Sequence, residues 1–372
     1  MGRSTMGRRR QRAITATRLW LWVGALGIAC GDPGGRDPFG SGPVTVSAGS
    51  ITAGTGPGAT EGTTEPGSAD GTAGGGLKLD VAFDTEGTAG DDGSNAEGCE
   101  KVDFLFVIDN SGSMGDNQDS LIASFPGFIS SIQNTLTEAQ DYHIMVVDTD
   151  AQWGGACPIL CPGFGFCPDI PQYPCGIEVE ACNQTLGAGV VHTMASDAPN
   201  VPCDFSTGAR YMDSTEPNLT AAFQCAAKVG SDGDGSERPM GAMVGALSFD
   251  LAQPGACNEG FVREDAILVV TIITDEEDDD SNGLPAGWYA NVTASKGGDA
   301  TAIVMLGLLN DTDAAVPVCP VESQDPAKIR QFVDMFPNSI RGSVCEASYN
   351  GFFQQAVDLI DTTCDEFIPP AG

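Results

Sequence analysis

One short segment of the chain carries side chains that suit a hard metal ion. Asp109, Ser111 and Ser113 occupy alternate positions directly after the apolar run at residues 102–108. Their carboxylate and hydroxyl groups are hard oxygen donors, which bind Mg²⁺, Mn²⁺ or Ca²⁺ in preference to softer metals. The same pattern also fits an Asx-turn followed by a helix N-cap, so this segment alone leaves both interpretations open.

A second carboxylate follows another apolar run. Residues 267–274 read ILVVTIIT, and Asp275 comes next. Runs of this kind, rich in β-branched residues, are typical of buried parallel strands. The loops at the carboxyl ends of parallel strands form a crevice in which side chains from separate loops converge. We therefore predict that Asp275 lies close to Asp109 and contributes to the same divalent cation site.

Asp275 also opens a run of six consecutive acidic residues. Adjacent carboxylates repel one another, and a cation held by Asp275 would relieve part of that repulsion. Glu276 or Asp278 would assist, either directly or through a water molecule. A solvated loop is predicted for the other three acidic residues, Glu277, Asp279 and Asp280.

These segments resemble the metal ion-dependent adhesion site of the von Willebrand factor A (VWA) family, as found in exported bacterial proteins. That site uses D-x-S-x-S after the first strand, a Thr in a middle loop and an Asp after the fourth strand. Asp109, Ser111 and Ser113 match the first motif and Asp275 matches the last, within a resemblance that covers residues 99–367. It implies a bound divalent cation, Mg²⁺ first and Ca²⁺ or Mn²⁺ as alternatives. The open coordination position of that cation would receive a carboxylate from a partner protein.

The middle loop departs from the family pattern. Residues 230–239 contain no Thr, so Ser236 or Glu237 must supply the remaining oxygen. Glu237 would add a third carboxylate, which binds the cation more tightly and leaves less positive charge to attract an acidic ligand group. Asp232, Asp234 and Ser236 also resemble the start of a separate Ca²⁺-binding loop, although the Glu expected at its twelfth position is absent.

From residue 99 onward, apolar runs alternate with amphipathic stretches, which predicts an α/β fold. We expect a doubly wound, mostly parallel central sheet with helices on both faces, a Rossmann-like VWA arrangement. The predicted strands cover residues 102–108, 142–147, 266–273 and 301–309. The predicted helices cover residues 119–139, 218–229, 240–251, 327–335 and 350–363. A Cys-rich stretch at about 153–204 is predicted to be a disulfide-stapled insertion.

Twelve of the 13 cysteines lie between Cys99 and Cys364, and Cys30 stands apart. An even set confined to one region of an exported chain predicts up to six disulfides, formed in an oxidising compartment. Zinc is the less favoured interpretation, because the cysteines at 157–182 contain no repeated C-x-x-C pair and the chain has only two histidines.

The first 98 residues are predicted to export and tether the domain. Residues 1–29 combine arginines with a short apolar run, a signal-peptide pattern that is too short to span a bilayer. Leu26-Gly27-Ile28-Ala29-Cys30 resembles a bacterial lipobox, so Cys30 is the predicted lipidation site, with simple cleavage and secretion as the alternative. Residues 30–98, rich in Gly, Ser, Thr and Asp, are predicted to be a disordered tether.

The acidic excess restricts the choice of partners. The formal net charge is −34, and cleavage after residue 29 would remove six of 17 basic residues and none of 51 acidic ones. We expect such a chain to avoid nucleic acid, and to meet membranes only through a lipid anchor. The resemblance implies a non-enzymatic adhesion or protein-binding module of the bacterial cell envelope, as an outer-membrane or cell-surface lipoprotein. A structural envelope protein with a merely stabilising metal site is the alternative. A metal-dependent hydrolase is less favoured, since a His-rich ligand set and a G-x-S-x-G elbow are absent.

Overall fold

A mostly parallel sheet organises the part of the chain that the computed structural model describes, residues 99–135, 141–150, 180–193, 195–231, 236–320 and 324–370. These residues all belong to one of two units of the chain, Gly87–Gly372. The predicted signal peptide, the lipidation site Cys30 and the tether lie outside the described residues. So do Asp232, Asp234 and much of the Cys-rich insertion.

Six strands form this sheet in the order β3-β2-β1-β4-β5-β6. They are β1 Lys101–Ile108, β2 Asp141–Asp148, β3 Met212–Asp213, β4 Ile267–Thr274, β5 Ile303–Leu309 and β6 Asn338–Ser343. Only the short β3 runs antiparallel to its neighbour, and the other neighbouring pairs are parallel. The predicted α/β class with a mostly parallel central sheet is confirmed.

The central strands β1 and β4 are buried along almost their full length. Their apolar, β-branched sequences suit a strand that has neighbours on both sides and covered faces. The two edge strands, β3 and β6, were missed by the sequence analysis. β3 has only two residues, and β6 reads NSIRGS and is only partly buried, so both lack the apolar run by which β1, β2, β4 and β5 were recognised.

Seven α-helices are present in the described residues, with two short 3-10 helices at Ala181–Gln184 and Ala300–Ala302. The α-helices are α1 Gly115–Thr135, α2 Leu219–Ala227, α3 Pro239–Ala246, α4 Phe249–Ala252, α5 Pro285–Ala294, α6 Ala327–Val333 and α7 Asn350–Glu366. The helix predicted at 240–251 is in fact two, because Ser248 has extended backbone and its hydroxyl caps α4 by accepting from the Leu251 N–H. α5 was not predicted, since its small and mixed residues give little amphipathic pattern. None of these helices is long and apolar enough to cross a membrane.

Alternate side chains of the central strands enter two separate cores. In β1, Phe104 and Phe106 pack with α1, α2 and α7, whereas Leu105 and Val107 pack with α3, α5 and α6. Successive side chains of a strand point to opposite faces, so this alternation follows from β geometry. β2, β4 and β5 contribute to both cores in the same way.

Four disulfides join cysteines in the described part of the chain, as the even cysteine count predicted. Cys99–Cys364 links the start of β1 to the end of α7. Two others anchor the described part of the Cys-rich insertion, and the fourth joins the loops after β5 and β6. These three are Cys182–Cys257, Cys203–Cys225 and Cys319–Cys345. The remaining cysteines of the predicted set lie outside the described residues.

Candidate metal centre

The candidate site lies where the chain leaves two neighbouring strands, β1 and β4. From β1 the chain continues to β2 on one side, and from β4 it continues to β5 on the other. The Asp109 N–H donates to the Ile273 carbonyl at 3.0 Å, so Asp109 stands beside the end of β4. Strand ends at such a switch point leave a crevice that binds ligands in α/β folds.

Asp109 is fully buried at the floor of this crevice. Its Oδ1 accepts the Ser111 N–H at 2.7 Å, and its Oδ2 accepts the Thr274 hydroxyl at 2.5 Å. Burial raises the pKa of Asp109 to about 6, the two hydrogen bonds oppose the rise, and the charge of Asp275 adds to it. None of these interactions supplies a positive charge.

A chain of hydroxyls connects the D-x-S-x-S segment to the end of β4. Ser111 Oγ lies 3.2 Å from Ser113 Oγ, and Ser113 Oγ donates to Asp275 Oδ1 at 3.0 Å. Ser113 is exposed, while Ser111 and Asp275 are half-buried. The structure thus brings together Asp109, Ser111, Ser113 and Asp275, as their positions after two apolar runs led us to expect.

Glu237 enters the same region from the loop that precedes α3. It is 6% exposed, and its Oε2 forms a hydrogen bond with Thr149 Oγ1 at the end of β2. Thr149 Oγ1 also donates to Asn110 Oδ1 at 3.2 Å, which links Glu237 to the D-x-S-x-S segment. Burial raises the pKa of Glu237 to about 9, with a further contribution from the negative charge of Asp109.

Ser236, the other candidate for the middle position, is half-buried beside Glu237. No hydrogen bond joins Ser236 to any of the other five predicted site residues, all of which are described. The two candidates therefore differ, because only Glu237 is tied to the D-x-S-x-S segment through Thr149 and Asn110.

A glutamine that sequence reasoning missed holds the floor of the crevice in place. The Gln118 amide donates to the carbonyls of Asp109 at 3.0 Å and Gly230 at 2.7 Å, and its oxygen accepts the Gly230 N–H. Gly230 has a φ of +91°, and a Cβ there would lie 2.5 Å from the Ser196 carbonyl oxygen. Gln118 thereby ties the end of β1 to the start of the middle loop.

Thr149 and Thr274 were also missed, although both stand where buried strands end. Such polar strand ends are the signal by which Asp109 and Asp275 were found. Each Thr hydroxyl contacts a carboxyl group of the site, Thr149 that of Glu237 and Thr274 that of Asp109.

The acidic run after β4 is more ordered than predicted. Asp278 is buried and accepts two N–H groups. Its Oδ2 accepts from Met240 at 2.8 Å and holds the start of α3, and its Oδ1 accepts from Ser281 at 2.7 Å within the loop after β4. Glu277 was assigned to a solvated loop, but it is half-buried and accepts the Lys328 N–H at 2.8 Å. That assignment is corrected. Asp279 is exposed and pairs with Lys328.

The residues of the crevice fit a hard divalent cation. Glu237 Oε1 is buried and has no hydrogen-bond partner in the described structure, so a cation bound there would satisfy it. In the described residues, no group of three His, Cys, Asp or Glu side chains forms a ready metal cluster. Hydroxyls are therefore needed beside the carboxylates. Asp109, Ser111, Ser113, Asp275 and Glu237 are the donors that would hold the ion.

Comparison of the chain with protein-family models gives no match, and comparison with curated proteins gives none. The function is therefore inferred from the geometry, burial and charge of the crevice between β1 and β4.

Proposed function

We propose that residues 99–367 form a VWA-like domain that binds a divalent cation, Mg²⁺ first and Ca²⁺ or Mn²⁺ as alternatives, and holds a partner protein through it. The observation that carries this proposal is the convergence of Asp109, Ser111, Ser113 and Asp275 at the carboxyl edge of the sheet, with the carboxyl of Glu237 linked to them through Thr149 and Asn110. The side chains of all five residues, Glu237 included, offer hard oxygen donors. When bound, the cation would supply positive charge that offsets the repulsion between the carboxylates.

The doubly wound layout with helices on both faces is part of the same proposal. It is supported by the two cores, which receive alternate side chains of the central strands. Helices α1, α2 and α7 contribute to one core, and α3, α5 and α6 contribute to the other. The strand order, in which β1 and β4 are neighbours and lead the chain in opposite directions, gives further support.

We propose binding rather than catalysis as the role of the site. Asp109 is held by a backbone N–H and a hydroxyl, and the buried carboxyl of Glu237 by a hydroxyl. His143, one of the two histidines, lies near the start of β2, at the amino edge of the sheet, where it contacts the Phe261 carbonyl. The crevice thus offers fixed oxygen donors, which suit a cation that bridges two proteins.

The location proposed for the domain is the bacterial cell envelope, with Cys30 as its lipid anchor and residues 30–98 as its tether. Secretion is the alternative if Cys30 is not lipidated. The chain enters the domain at Cys99, beside the amino end of β1, whereas Asp109 follows the carboxyl end of that strand. This arrangement suits presentation of the site away from the attachment point. The acidic composition makes a protein the expected partner, not nucleic acid or the lipid surface.

The melting temperature of an Asp275→Ala variant tests the cation site. In Mg²⁺ the wild-type chain should melt at a higher temperature than the variant, because a ligand that binds only the folded state stabilises it by mass action. In EDTA the two proteins should melt within a degree or so of each other, about the shift expected from a small change in surface interactions. An equal loss in both conditions would show that Asp275 is merely structural.

Capture of a partner separates adhesion from the other two roles. Wild-type protein and Asp275→Ala are immobilised side by side and exposed to envelope proteins of the source cell in Mg²⁺. A protein that wild type retains, that EDTA releases and that the variant does not retain supports adhesion. Cation-dependent stability without such capture favours a structural envelope protein. Turnover of generic ester or phosphate substrates would instead support a hydrolase.

A further inference from the structure

The carboxyl group of Glu237 is buried in an unusual way. Glu237 is only 6% exposed. Its Oε2 is hydrogen-bonded to Thr149, and its Oε1 is buried without a hydrogen-bond partner in the described structure. A buried polar atom that lacks a partner destabilises a fold unless a ligand, an ion or a proton satisfies it. Glu237 Oε1 is thus a buried atom at which a cation bound in the crevice could replace a proton.

The backbone around Glu237 is fixed, so its carboxyl cannot move to solvent at little cost. The Arg238 N–H donates to the Thr149 carbonyl at 2.8 Å, which ties the residue after Glu237 to the end of β2. Two residues later, the Met240 N–H donates to Asp278 at 2.8 Å. The backbone on the carboxyl side of Glu237 is therefore held by the end of β2 and by the loop after β4.

The charges that act most strongly on Glu237 are those of Asp109, Asp150 and Asp148, all of them negative. None of these groups can satisfy Glu237 Oε1 when all are ionised, since carboxylates are acceptors only. A cation shared between Glu237 and Asp109 satisfies both at once. Ser236 next to it is neutral and has no bond to the other site residues.

We propose that Glu237, rather than Ser236, supplies a third carboxylate to the cation, and that the site consequently accepts a basic side chain of its partner rather than an acidic one. This inference rests on the cation-dependent function proposed above. Asp109, Asp275 and Glu237 together carry one more negative charge than a divalent ion neutralises, whereas Ser111 and Ser113 add none. The loaded site then repels a carboxylate and attracts Lys or Arg. This differs from the acidic partner group that the family resemblance implies.

Calorimetric titration with Mg²⁺ and Ca²⁺ alone tests the first half of the proposal. Glu237→Gln, which keeps the shape of the side chain, should weaken cation binding by about tenfold or more, because ligand charge sets affinity in such sites. Ser236→Ala should change it by less than about twofold, the effect of a group outside the coordination shell. Glu264→Gln, an exposed glutamate just before β4, is the matched control and should leave binding unchanged.

Two short Gly/Ser peptides, one with a single Glu and one with a single Lys, test the second half. We measure their binding to the Mg²⁺-loaded full chain and to Glu237→Thr, whose melting temperature first confirms that it folds. Relative to wild type, the variant should bind the Glu peptide at least about tenfold better and the Lys peptide less well, since one negative charge is removed. An unchanged ratio of the two affinities, including no binding by either protein, overturns the inference.

The two proposals fail in different ways. If the wild-type chain binds neither Mg²⁺ nor Ca²⁺, the cation-dependent function itself is wrong. A different result would overturn only the role given to Glu237. In that case the wild type binds a cation, Glu237→Gln binds it with the same affinity, and Ser236→Ala binds it less well. A loaded wild type that prefers the Glu peptide also leaves the cation site intact and refutes the basic partner.

Discussion

A fully buried carboxylate lies near each end of β1, and the two differ in the groups that donate hydrogen bonds to them. At the amino edge of the sheet, Asp103 receives the Arg263 N–H at 2.7 Å and its guanidinium Nε–H at 2.8 Å. At the carboxyl edge, Asp109 receives one backbone N–H and one hydroxyl. Burial raises the pKa of both groups. The charge of Arg263 opposes the rise at Asp103, whereas the charge of Asp275 adds to it at Asp109.

The rest of the amino edge is equally well satisfied. Lys296 is buried there, and its ammonium group donates to three backbone carbonyls, those of Arg263, Glu264 and Ala266. The carboxyl edge instead holds Glu237, with one unpartnered oxygen and negative neighbours. The amino edge is thus satisfied within the chain, whereas the carboxyl edge keeps buried negative charge without a positive partner, which the proposed cation would offset.

The largest expected effect on stability comes from removing the positive partner of Asp103 at the amino edge of the sheet. Arg263→Met should lower the free energy of unfolding by about 3–5 kcal/mol, because it leaves the buried Asp103 charge without its partner. Urea denaturation measures the change. The loss should be the same in Mg²⁺ and in EDTA, since Arg263 does not touch the cation site. A loss that appears in only one of these conditions would contradict the division between the two edges.

Removal of the Asp109 charge at the carboxyl edge should change the free energy of unfolding in the opposite direction. In EDTA, Asp109→Asn should raise the free energy of unfolding by about 1–3 kcal/mol, because it removes a buried charge that has no positive partner. The Thr274 hydroxyl can still bond to the new amide. In Mg²⁺ the variant should gain nothing from the ion. A loss comparable to that of Arg263→Met in EDTA would show that both edges are self-sufficient.

The pH dependence of Glu237→Gln sharpens the comparison further. The pKa of Glu237 is raised from 4.5 to about 9 in the folded chain, so its contribution to stability is fully present below pH 4.5 and is lost as pH rises through 9. In EDTA, between pH 6 and 9, wild type should lose about 1 kcal/mol per pH unit relative to Glu237→Gln. Urea titrations at each pH measure this, and parallel curves for the two proteins would refute it.

The parts of the site that were predictable are those that follow directly from strand ends. Asp109 and Asp275 each come immediately after a buried apolar run, and adjacent parallel strands bring such positions together. The spacing of Ser111 and Ser113 then places their hydroxyls between the two carboxylates. Local pattern and topology are sufficient there.

The choice between Ser236 and Glu237 was not predictable from the same reasoning. It depends on the contact of Glu237 with Thr149, 88 residues earlier in the chain, and on the docking of α3 against the sheet. The acidic run shows the same limit. Its carboxylates are alike in sequence, yet Asp278 holds the start of α3 and Glu277 the start of α6, because tertiary packing and not local pattern selects those roles.

The elements of the fold also divide into those that the sequence predicted and those that it did not. The strands with apolar runs, β1, β2, β4 and β5, were predicted to within about two residues, which is the usual uncertainty of element ends. β3, β6 and α5 were missed because their stability comes from neighbours. The two-residue β3 pairs with β2, β6 pairs with β5 along its length, and α5 buries Trp288 against α6. None of the three has a strong periodic pattern of its own.

Calorimetric titration of Mg²⁺ into the full chain tests whether the carboxyl edge of the sheet binds a cation. We expect wild type to bind one equivalent at pH 7.5, Arg263→Lys at the amino edge to bind it equally well, and Asp109→Asn at the carboxyl edge to lose this binding. Uptake by Asp109→Asn with the affinity of wild type, or no uptake of Mg²⁺, Ca²⁺ or Mn²⁺ by the wild-type chain, would contradict this expectation.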